Sequence, residues 1–376
     1  MRIAHVSDAY LPRLGGIETH VSGLAAHQMR AGHEVHVLTG TRGRGIRPPV
    51  DGPIVHRGSP ARLFSDLRSG GFDVVHMHAS VFSPLAMSLT VAACAVGIPV
   101  AATVHSIWPG HRAVIAPTGA GLRLRHRPVA WSAVSSAAAG PLRSALGPGV
   151  VVDVVPNAVD VDWWRAAPAG QLGRTVAPGS ATAEGVVTSL GRLAGRQRPL
   201  PLLRIMLAVR DQIDASVSIR LVLAGEGPQE ARVRRAVAAA GMSSWVDLPG
   251  RLSPMQAREL LRRTDIFVAP ADLESFGIAA LEARTVGVPV VAKRASGVGE
   301  FVQHGREGLL GDADADLARA IASLVGDNDR RLAMSAHNAA IPPVTTWGNA
   351  LERTGHLYRR AAQLAGRSLP VLEVSA

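Results

Sequence analysis

Residues 265–300 read DIFVAPADLESFGIAALEARTVGVPVVAKRASGVGE. An apolar strand at 266–269 runs into a loop that carries Glu274. The loop turns at Ser275-Phe276-Gly277 and opens a helix that carries Glu282. Gly287-Val288-Pro289 ends the helix, a second strand follows at 290–292, and a glycine-rich turn closes the stretch. Free N–H groups at a helix N-terminus, with the positive end of the helix dipole, make an anion site. Gly277 lets a ligand approach the backbone closely there. Glu274 stands before the anion site and Glu282 on the helix behind it. The two acids can therefore reach what is attached on either side of a phosphate. A sugar nucleotide has that layout: sugar, diphosphate, ribose. Such glutamate pairs are common by chance, and this one gains its weight from its setting between two apolar strands.

Outward from this stretch the strand–loop–helix rhythm repeats. Strand 186–190 leads through Gly191-Arg192-Leu193-Ala194-Gly195-Arg196-Gln197-Arg198 to a helix ending near Val209. Strand 219–224 leads through Gly225-Glu226-Gly227-Pro228 to a helix at 229–240, and strand 246–248 through Pro249-Gly250-Arg251-Leu252 to a helix at 254–263. The N-terminal half has its own series of strands, at 3–7, 34–39, 54–57, 74–78, 100–105, 130–135 and 151–155. Repeated βα units with apolar strands imply parallel sheets covered on both faces, which bind ligands at the carboxyl ends of their strands. Gly15-Gly16, His78 and His105 fall at such ends. A length of 376 residues favours two domains. We expect an α/β protein with two Rossmann-like domains whose parallel sheets face each other across a cleft. The N-terminal domain spans 1–165 and takes in a terminal helical segment at about 347–376; the C-terminal domain spans 184–346. Residues 166–183, rich in Ala, Pro and Gly, read as the boundary.

Composition narrows the function classes. Hydrophobic residues make up 47% of the chain, as in a globular protein, and the net charge is +11. Nucleic-acid binding is disfavoured, because the arginines are scattered and aromatics for base stacking are only 4%. A basic surface facing anionic lipid or a phosphorylated substrate fits the charge as well. Arg42, Arg44, Arg47, Arg112, Arg123, Arg125 and Arg127 are the residues that motivate a peripheral membrane contact; solvated loop arginines are the plain alternative. A single cysteine, Cys94, excludes an internal disulfide and fits a reducing, cytoplasmic compartment. The chain enters a strand pattern directly after Met1, so no signal peptide is expected. The longest apolar run, 85–104, is broken by Gly97-Ile98-Pro99 and reads as a buried helix, a turn and a buried strand.

Several motifs carry two readings. His76 and His78 put two rings on one face of a strand, a spacing that suits metal. No third ligand is evident nearby in the sequence, so satisfied strand-end histidines are the favoured reading and no metal is expected. His105 ends a strand, either bonded to a loop carbonyl or contacting a sugar hydroxyl. Asp8 and Glu18 flank Gly15-Gly16 and read as a helix cap or surface charge as readily as site residues. The turn at 225–228 lacks the third glycine of a dinucleotide fingerprint, and no P-loop is present, which argues against NAD binding and NTP hydrolysis. Arg192 is a cation at a strand end, suited to a diphosphate.

Together these segments resemble the retaining GT-B glycosyltransferases with an E-x-seven-E motif, glycosyltransferase family 4. The resemblance rests on Gly15-Gly16-Ile17-Glu18, Val75-His76-Met77-His78, Thr103-Val104-His105, Val155-Pro156-Asn157-Ala158-Val159-Asp160, Gly191-Arg192-Leu193, Gly225-Glu226-Gly227-Pro228, Glu274 through Glu282, and Gly297 through Glu300. It implies that Glu274 holds hydroxyls of the donor sugar and that the N–H groups of Phe276, Gly277 and Ile278 bind phosphate. Glu282 would bind the ribose, Arg192 the diphosphate, His105 the donor sugar, Gly15 and Gly16 the diphosphate and acceptor side, and Leu252 the region of the base. The implied reaction is sugar transfer with retention from a UDP- or GDP-sugar to a cell-envelope, lipid-linked or small-molecule hydroxyl. Protein charges replace a metal, and no cofactor is needed. Gly-Gly-Ile-Glu-Thr-His also resembles the opening of transferases that glycosylate phosphatidylinositol.

The pattern departs from the family at Gln197, where a lysine is usual, and at Ala158, where glycine is common. Losing one preorganised donor costs roughly two to three powers of ten in rate, so a sugar-nucleotide-binding protein with weak or no turnover is the alternative. Arg196 or Arg198 is positioned in sequence to compensate. A sugar-nucleotide epimerase of the same fold is a third reading, and the Glu274/Glu282 frame speaks against it.

Overall fold

The computed structural model of the chain describes residues 1–13, 15–43, 52–108, 124–166 and 184–370. Arg44, Arg47, Arg112 and Arg123, most of the boundary stretch (167–183) and the tail from 371 lie outside the described residues. The chain divides into two compact units: unit 1 is 1–158 with 347–376, and unit 2 is 159–346.

Unit 1 holds a seven-stranded sheet, in the order β3-β2-β1-β4-β5-β6-β7. The strands are β1 (Arg2–Ser7), β2 (Glu34–Thr39), β3 (Ile54–Arg57), β4 (Val74–Ala79), β5 (Val100–Val104), β6 (Val129–Ala133) and β7 (Val152–Val154). Every neighbouring pair is parallel. Helices α1 (Gly16–Arg30), α2 (Pro60–Ser69), α3 (Pro84–Ala95) and α4 (Ser136–Leu146) connect them. The apolar run at 85–104 is divided between α3 and β5, and no helix among the described residues is long and apolar enough to cross a membrane. Strand order reverses between β1 and β4, the place where such sheets open a crevice at their carboxyl ends.

Alternation along the strands separates the two sheet faces. Ala4, Val6, Val75, Met77, Ala102, Val104 and Trp131 pack with Leu63 and Leu67 of α2 and with α3 and α4. The other face starts apolar, with Ile3, Val74, Ala101 and Ala130. One step further along each strand it turns polar: His5, His76, Thr103 and Ser132 are all buried there.

Unit 2 holds a six-stranded parallel sheet, in the order β10-β9-β8-β11-β12-β13, with the same reversal between β8 and β11. Its strands are β8 (Gly185–Leu190), β9 (Ile219–Ala224), β10 (Val246–Asp247), β11 (Ile266–Ala269), β12 (Val290–Lys293) and β13 (Gly308–Gly311). Its helices are α5 (Val161–Arg165), α6 (Pro199–Arg210), α7 (Glu230–Ala239), α8 (Pro254–Arg262), α9 (Ile278–Thr285), α10 (Asp314–Gly326) and α11 (Asn328–Ala340). Helix α8 starts on a capping box: Ser253 accepts from the N–H of Gln256, and Gln256 accepts from the N–H of Ser253. The sequence reading left 301–346 unassigned, and β13, α10 and α11 fill that gap. It also gave 159–165 to the N-terminal domain, whereas the structure groups them with unit 2. There the Arg165 guanidinium donates to the carbonyls of Thr285 and Asn338, and Arg258 donates to the carbonyl of Trp163.

The last helix among the described residues, α12 (Trp347–Leu364), belongs to unit 1. Leu357, Tyr358 and Ala361 of α12 pack on Ile3, Val74, Ala101 and Ala130. Trp347 stacks on His27 of α1, with ring centroids 4.6 Å apart. Gly23 makes room for the Trp347 ring: a Cβ there would lie 2.3 Å from it.

Candidate active site

The stretch that opened the sequence reading folds as one piece of unit 2. Strand β11 ends at Ala269, the loop carries Glu274, and α9 begins at Ile278. Gly277 takes the left-handed conformation at the head of α9, with φ 89°, a geometry glycine adopts without strain. Gly297 seals the loop from the other side. Its N–H donates to the Glu274 carbonyl at 2.8 Å, and a Cβ on Gly297 would lie 2.1 Å from the Ser275 carbonyl oxygen.

Glu274 and Glu282 are both half-buried. Burial raises the Glu274 carboxyl, opposed by hydrogen bonds from the backbone N–H groups of Phe276, Gly277 and Ser275. The Phe276 N–H donates to Glu274 Oε1 at 3.2 Å. Two of the three amides assigned to phosphate, those of Phe276 and Gly277, thus bond the Glu274 carboxylate here. Burial pushes the Glu282 carboxyl up to about 8, so at neutral pH it is chiefly protonated.

The loops after β8, β9 and β10 are knitted together. Gly191 N–H donates to the Ala224 carbonyl, Gly225 N–H to the Gly250 carbonyl, and Leu193 N–H to the Glu226 carbonyl. Gly225 approaches Gly191 so closely that a Cβ would lie 1.7 Å from its carbonyl oxygen. Leu252 follows this network, half-buried. Arg192 is exposed, with no ion pair among the described residues. Gln197 ends the short turn Gly195–Gln197. Beside it, Arg196 donates to the Leu273 carbonyl at 3.1 and 3.3 Å, one residue before Glu274. Arg198 instead grips Asp314 with two bonds of 2.7 and 2.9 Å and lies 3.0 Å from Asp272. Lys293, the sole lysine of the chain, shares Asp314 at 2.7 Å. The Arg198 bond, with Lys293, holds the Asp314 carboxyl down at about 2. Unit 2 therefore brings Arg192, Gln197, Glu274, Phe276, Gly277, Ile278 and Glu282 to the carboxyl ends of β8 and β11 and the loops that follow them.

In unit 1, Gly15 and Gly16 sit at the head of α1, and Gly16 is its first residue. Glu18 folds back on Gly15 and pairs with Arg13 at 3.1 Å. Asp8 accepts from the N–H groups of Leu85 and Ala86, both at 3.0 Å, so it caps α3.

The histidines give a correction. The sequence shows no third nitrogen near His76 and His78, yet parallel pairing sets His5 opposite His76. Two groups of three ring nitrogens converge, His5/His76/His78 and His20/His78/His105, each within 4.8 Å. All five histidines are buried. Burial lowers every one of their pKa values, His5 to about 4 and His105 to about 3. His5 Nδ1 lies 2.9 Å from His78 Nε2, and His78 Nδ1 lies 3.0 Å from His105 Nε2. Gln28 of α1 and Tyr358 of α12 join the group. His20, packed 5.0 Å from His105 by ring centroids, keeps a buried Nδ1 without a hydrogen-bond partner. Sequence reasoning missed His5, His20, Gln28 and Tyr358. For His5 the available signal was polar residues at alternate positions of a strand buried on both faces; His20, Gln28 and Tyr358 lie on helices, where that signal does not apply.

Two family models match the chain: one described as Glycosyltransferase Family 4, over residues 14–163, and one described as Glycosyl transferases group 1, over 176–340. The chain is 31% identical, over 214 residues, to a GDP-mannose-dependent alpha-(1-6)-phosphatidylinositol monomannoside mannosyltransferase of Mycobacterium tuberculosis, an alignment covering 54% of each protein. It is 34% identical, over 193 residues, to a D-inositol 3-phosphate glycosyltransferase of Pseudarthrobacter chlorophenolicus, covering 49% of this chain and 45% of that one. The chain thus spans about half the length of these two curated relatives. One subunit of the phosphatidylinositol N-acetylglucosaminyltransferase of Arabidopsis thaliana matches at 26% identity over 98% of this chain and 84% of its own. Among solved structures, Anabaena HepE in complex with UDP-glucose superposes with a TM-score of 0.73 at 18% identity, covering 97% of this chain and 99% of that one. Sucrose-phosphate synthase of Thermosynechococcus elongatus superposes with a TM-score of 0.70 at 20% identity, covering 96% and 98%. The shared architecture is GT-B, two Rossmann-like halves with parallel sheets.

Proposed function

The chain belongs to the family 4, group 1 glycosyltransferases, and from that premise we propose that it moves a sugar from a nucleotide-sugar to an acceptor hydroxyl with retention of configuration. The observation that carries this reading is the Gly277-headed helix with Glu274 before it and Glu282 on it. The α9 N-terminus and Arg192 take the diphosphate, Glu282 the ribose, Glu274 and His105 the sugar, and Leu252 borders the base. Catalysis is electrostatic preorganisation around the departing diphosphate, whose oxygen takes the acceptor proton, and no metal is called for. The donor is a UDP- or GDP-sugar. The acceptor is a cell-envelope, lipid-linked or small polyol hydroxyl, met at the cytoplasmic face of the membrane. Phosphorylated inositol is the first class to try, since the names of three relatives contain it.

The test is incubation with labelled UDP-glucose and GDP-mannose, with inositol 3-phosphate or phosphatidylinositol vesicles as acceptor. We expect a glycoside whose anomeric configuration matches the donor. Saturable donor binding without hydrolysis or transfer to any acceptor would instead indicate a binding protein, and an epimerised free nucleotide sugar an epimerase.

The Glu282 carboxyl gives a pH signature. Ribose hydroxyls donate to a carboxylate, so binding favours the ionised form. With a carboxyl near 8, about a tenth is ionised at pH 7, and affinity for the nucleoside diphosphate should tighten about tenfold between pH 7 and 9. Titration calorimetry should show that gain in the native protein and a flat profile in Glu282→Gln.

A further inference from the structure

Unit 2 carries a second concave surface, at the β13 edge of its sheet. Strand β13 ends the strand order, two places beyond β11. A cleft of about 420 Å³ opens against it, within the size range of small-molecule sites. Leu309 and Leu310 line it and are buried; Arg294, His304, Arg319 and Arg330 line it and are exposed. None of the residues placed in the candidate active site is among its walls.

An edge strand leaves backbone groups unpaired on its outer side. Here two side chains take them. The Leu310 N–H donates to His304 Nδ1 at 2.9 Å, and Arg294 Nη2 donates to the Leu310 carbonyl at 2.8 Å. This capping has a chemical consequence. A ring whose Nδ1 accepts holds its proton on Nε2, so His304 offers the cleft an N–H donor. The Arg294 guanidinium spends one N–H on Leu310 and makes only a looser contact, 3.4 Å, to Asp312, which leaves it further donors. Both side chains are anchored on the backbone of β13, so these donors are held in place before any ligand arrives.

The charge of the cleft points the same way. Three arginines stand against two carboxylates, Asp312 and Asp316, an excess of one positive charge. The carboxylates are already engaged. Asp316 accepts from the N–H groups of Asp312 and Ala313, at 2.9 and 2.8 Å, and pairs with Arg319, while Asp312 meets Arg294. Arg330 of α11 spends its backbone N–H on Asp327, and its guanidinium has no partner among the described residues. Ion pairs as exposed as those of Arg294 and Arg319 are weak, so both arginines turn to a ligand at little cost.

We propose that the β13 cleft is a second binding site of unit 2 and takes a small phosphomonoester of the size of a sugar phosphate. The guanidinium groups of Arg330, Arg319 and Arg294 and the Nε2–H of His304 take the phosphate oxygens, since arginine forks match phosphate geometry and a charged acceptor strengthens each bond. Leu309 and Leu310 border the carbon skeleton. A neutral sugar would leave the excess charge unanswered, and a cation would be repelled by it. The proposal goes beyond the transferase reading and does not depend on it.

The test is titration calorimetry with inorganic phosphate and with mannose 6-phosphate, in the absence of nucleotide and with UDP or GDP at a concentration that just fills its own site. We expect one phosphomonoester site whose affinity changes less than twofold when nucleotide is present, and no binding of mannose there. Arg330→Glu sets a carboxylate where an unpaired cation stands. It should weaken mannose 6-phosphate binding at least tenfold and leave the affinity for UDP and GDP unchanged. Arg319→Gln should weaken it at least threefold, and serves if Arg330→Glu disturbs α11. Hydrogen exchange should show added protection at residues 309–312 when mannose 6-phosphate binds. Displacement by UDP or GDP, equal binding of mannose, no binding at millimolar phosphate and mannose 6-phosphate, or full affinity in both variants would each overturn the proposal. Should neither UDP nor GDP bind, the transferase reading fails separately and the two arginine variants still decide this one.

Discussion

On the proposed reading Gln197 places a neutral amide where the leaving group calls for charge, and three arginines, Arg192, Arg196 and Arg198, lie within five residues of it in sequence. They are not equivalent. Arg198 is committed to Asp314 and Asp272, so its loss should loosen the loops at 270–274 and 312–314 more than it affects chemistry. Arg192 is exposed and without an ion pair among the described residues. Arg196 reaches the carbonyl next to Glu274, and we expect it to serve in place of the usual lysine. Arg196→Ala should lower kcat by about a hundredfold, the range for losing one preorganised donor, with little change in thermal stability. Gln197→Lys should add less than threefold to the native protein but recover at least tenfold in the Arg196→Ala background. Steady-state kinetics on the four proteins decides this, and a large gain from Gln197→Lys alone would show that Arg196 does not serve. The sequence offers Arg196 and Arg198 alike as substitutes, because the arginines occupy one short run and only their partners tell them apart.

The elements divide by how they write themselves into sequence. Strands buried on both faces leave mainly apolar runs with few breaks, so β1, β2, β8, β9, β11 and β12 were plain. Strand β13 was not: it reads Gly308-Leu309-Leu310-Gly311, and Gly308 is there because a Cβ would lie 2.0 Å from the Val290 carbonyl oxygen. Close approach, not strand preference, chose that residue. The loop–helix unit at 274–282 was legible because its chemistry is local, whereas the histidine chain depends on sheet register and on a helix more than 250 residues away in sequence. Helix α12 is seated by Trp347 against Gly23 and His27. Gly23→Ala gains helix propensity but drives a methyl into the indole, and should destabilise unit 1 by about 1–3 kcal/mol, the cost of overpacking. In a Trp347→Ala background the same change should cost nothing. Chemical denaturation of the four proteins gives the coupling, and additive effects would show that α12 is not held at this point.

At the scale of the molecule, the two units respond oppositely to pH. Five histidines of unit 1 are neutral when folded, with depressed pKa values, and take up protons near 6.5 when unfolded. Their contribution is present above 6.5 and is lost as pH falls, at a rate approaching about 7 kcal/mol per pH unit when all five take part. Total stability is typically about 5–15 kcal/mol, so one pH unit consumes much of it. In unit 2 the Glu282 carboxyl is raised from 4.5 to about 8, and Glu274 is raised as well. That contribution is present below 4.5 and is lost as pH rises toward 8. Hydrogen exchange corrected for intrinsic rates should show β1, β4 and β5 losing protection between pH 7.5 and 5.5 while β11 and α9 gain it; movement of both in one direction would refute the assignment. The separate numbering of unit 1 (1–158, then 347–376) has a further consequence, for biosynthesis. A nascent chain emerging from the ribosome can complete unit 2 before unit 1, because the last helix of unit 1 follows all of unit 2 in sequence. Until Tyr358 arrives, residues 1–158 lack the hydroxyl that bonds His76 and Gln28. Completion of unit 1 is thus timed by a helix made after all of unit 2.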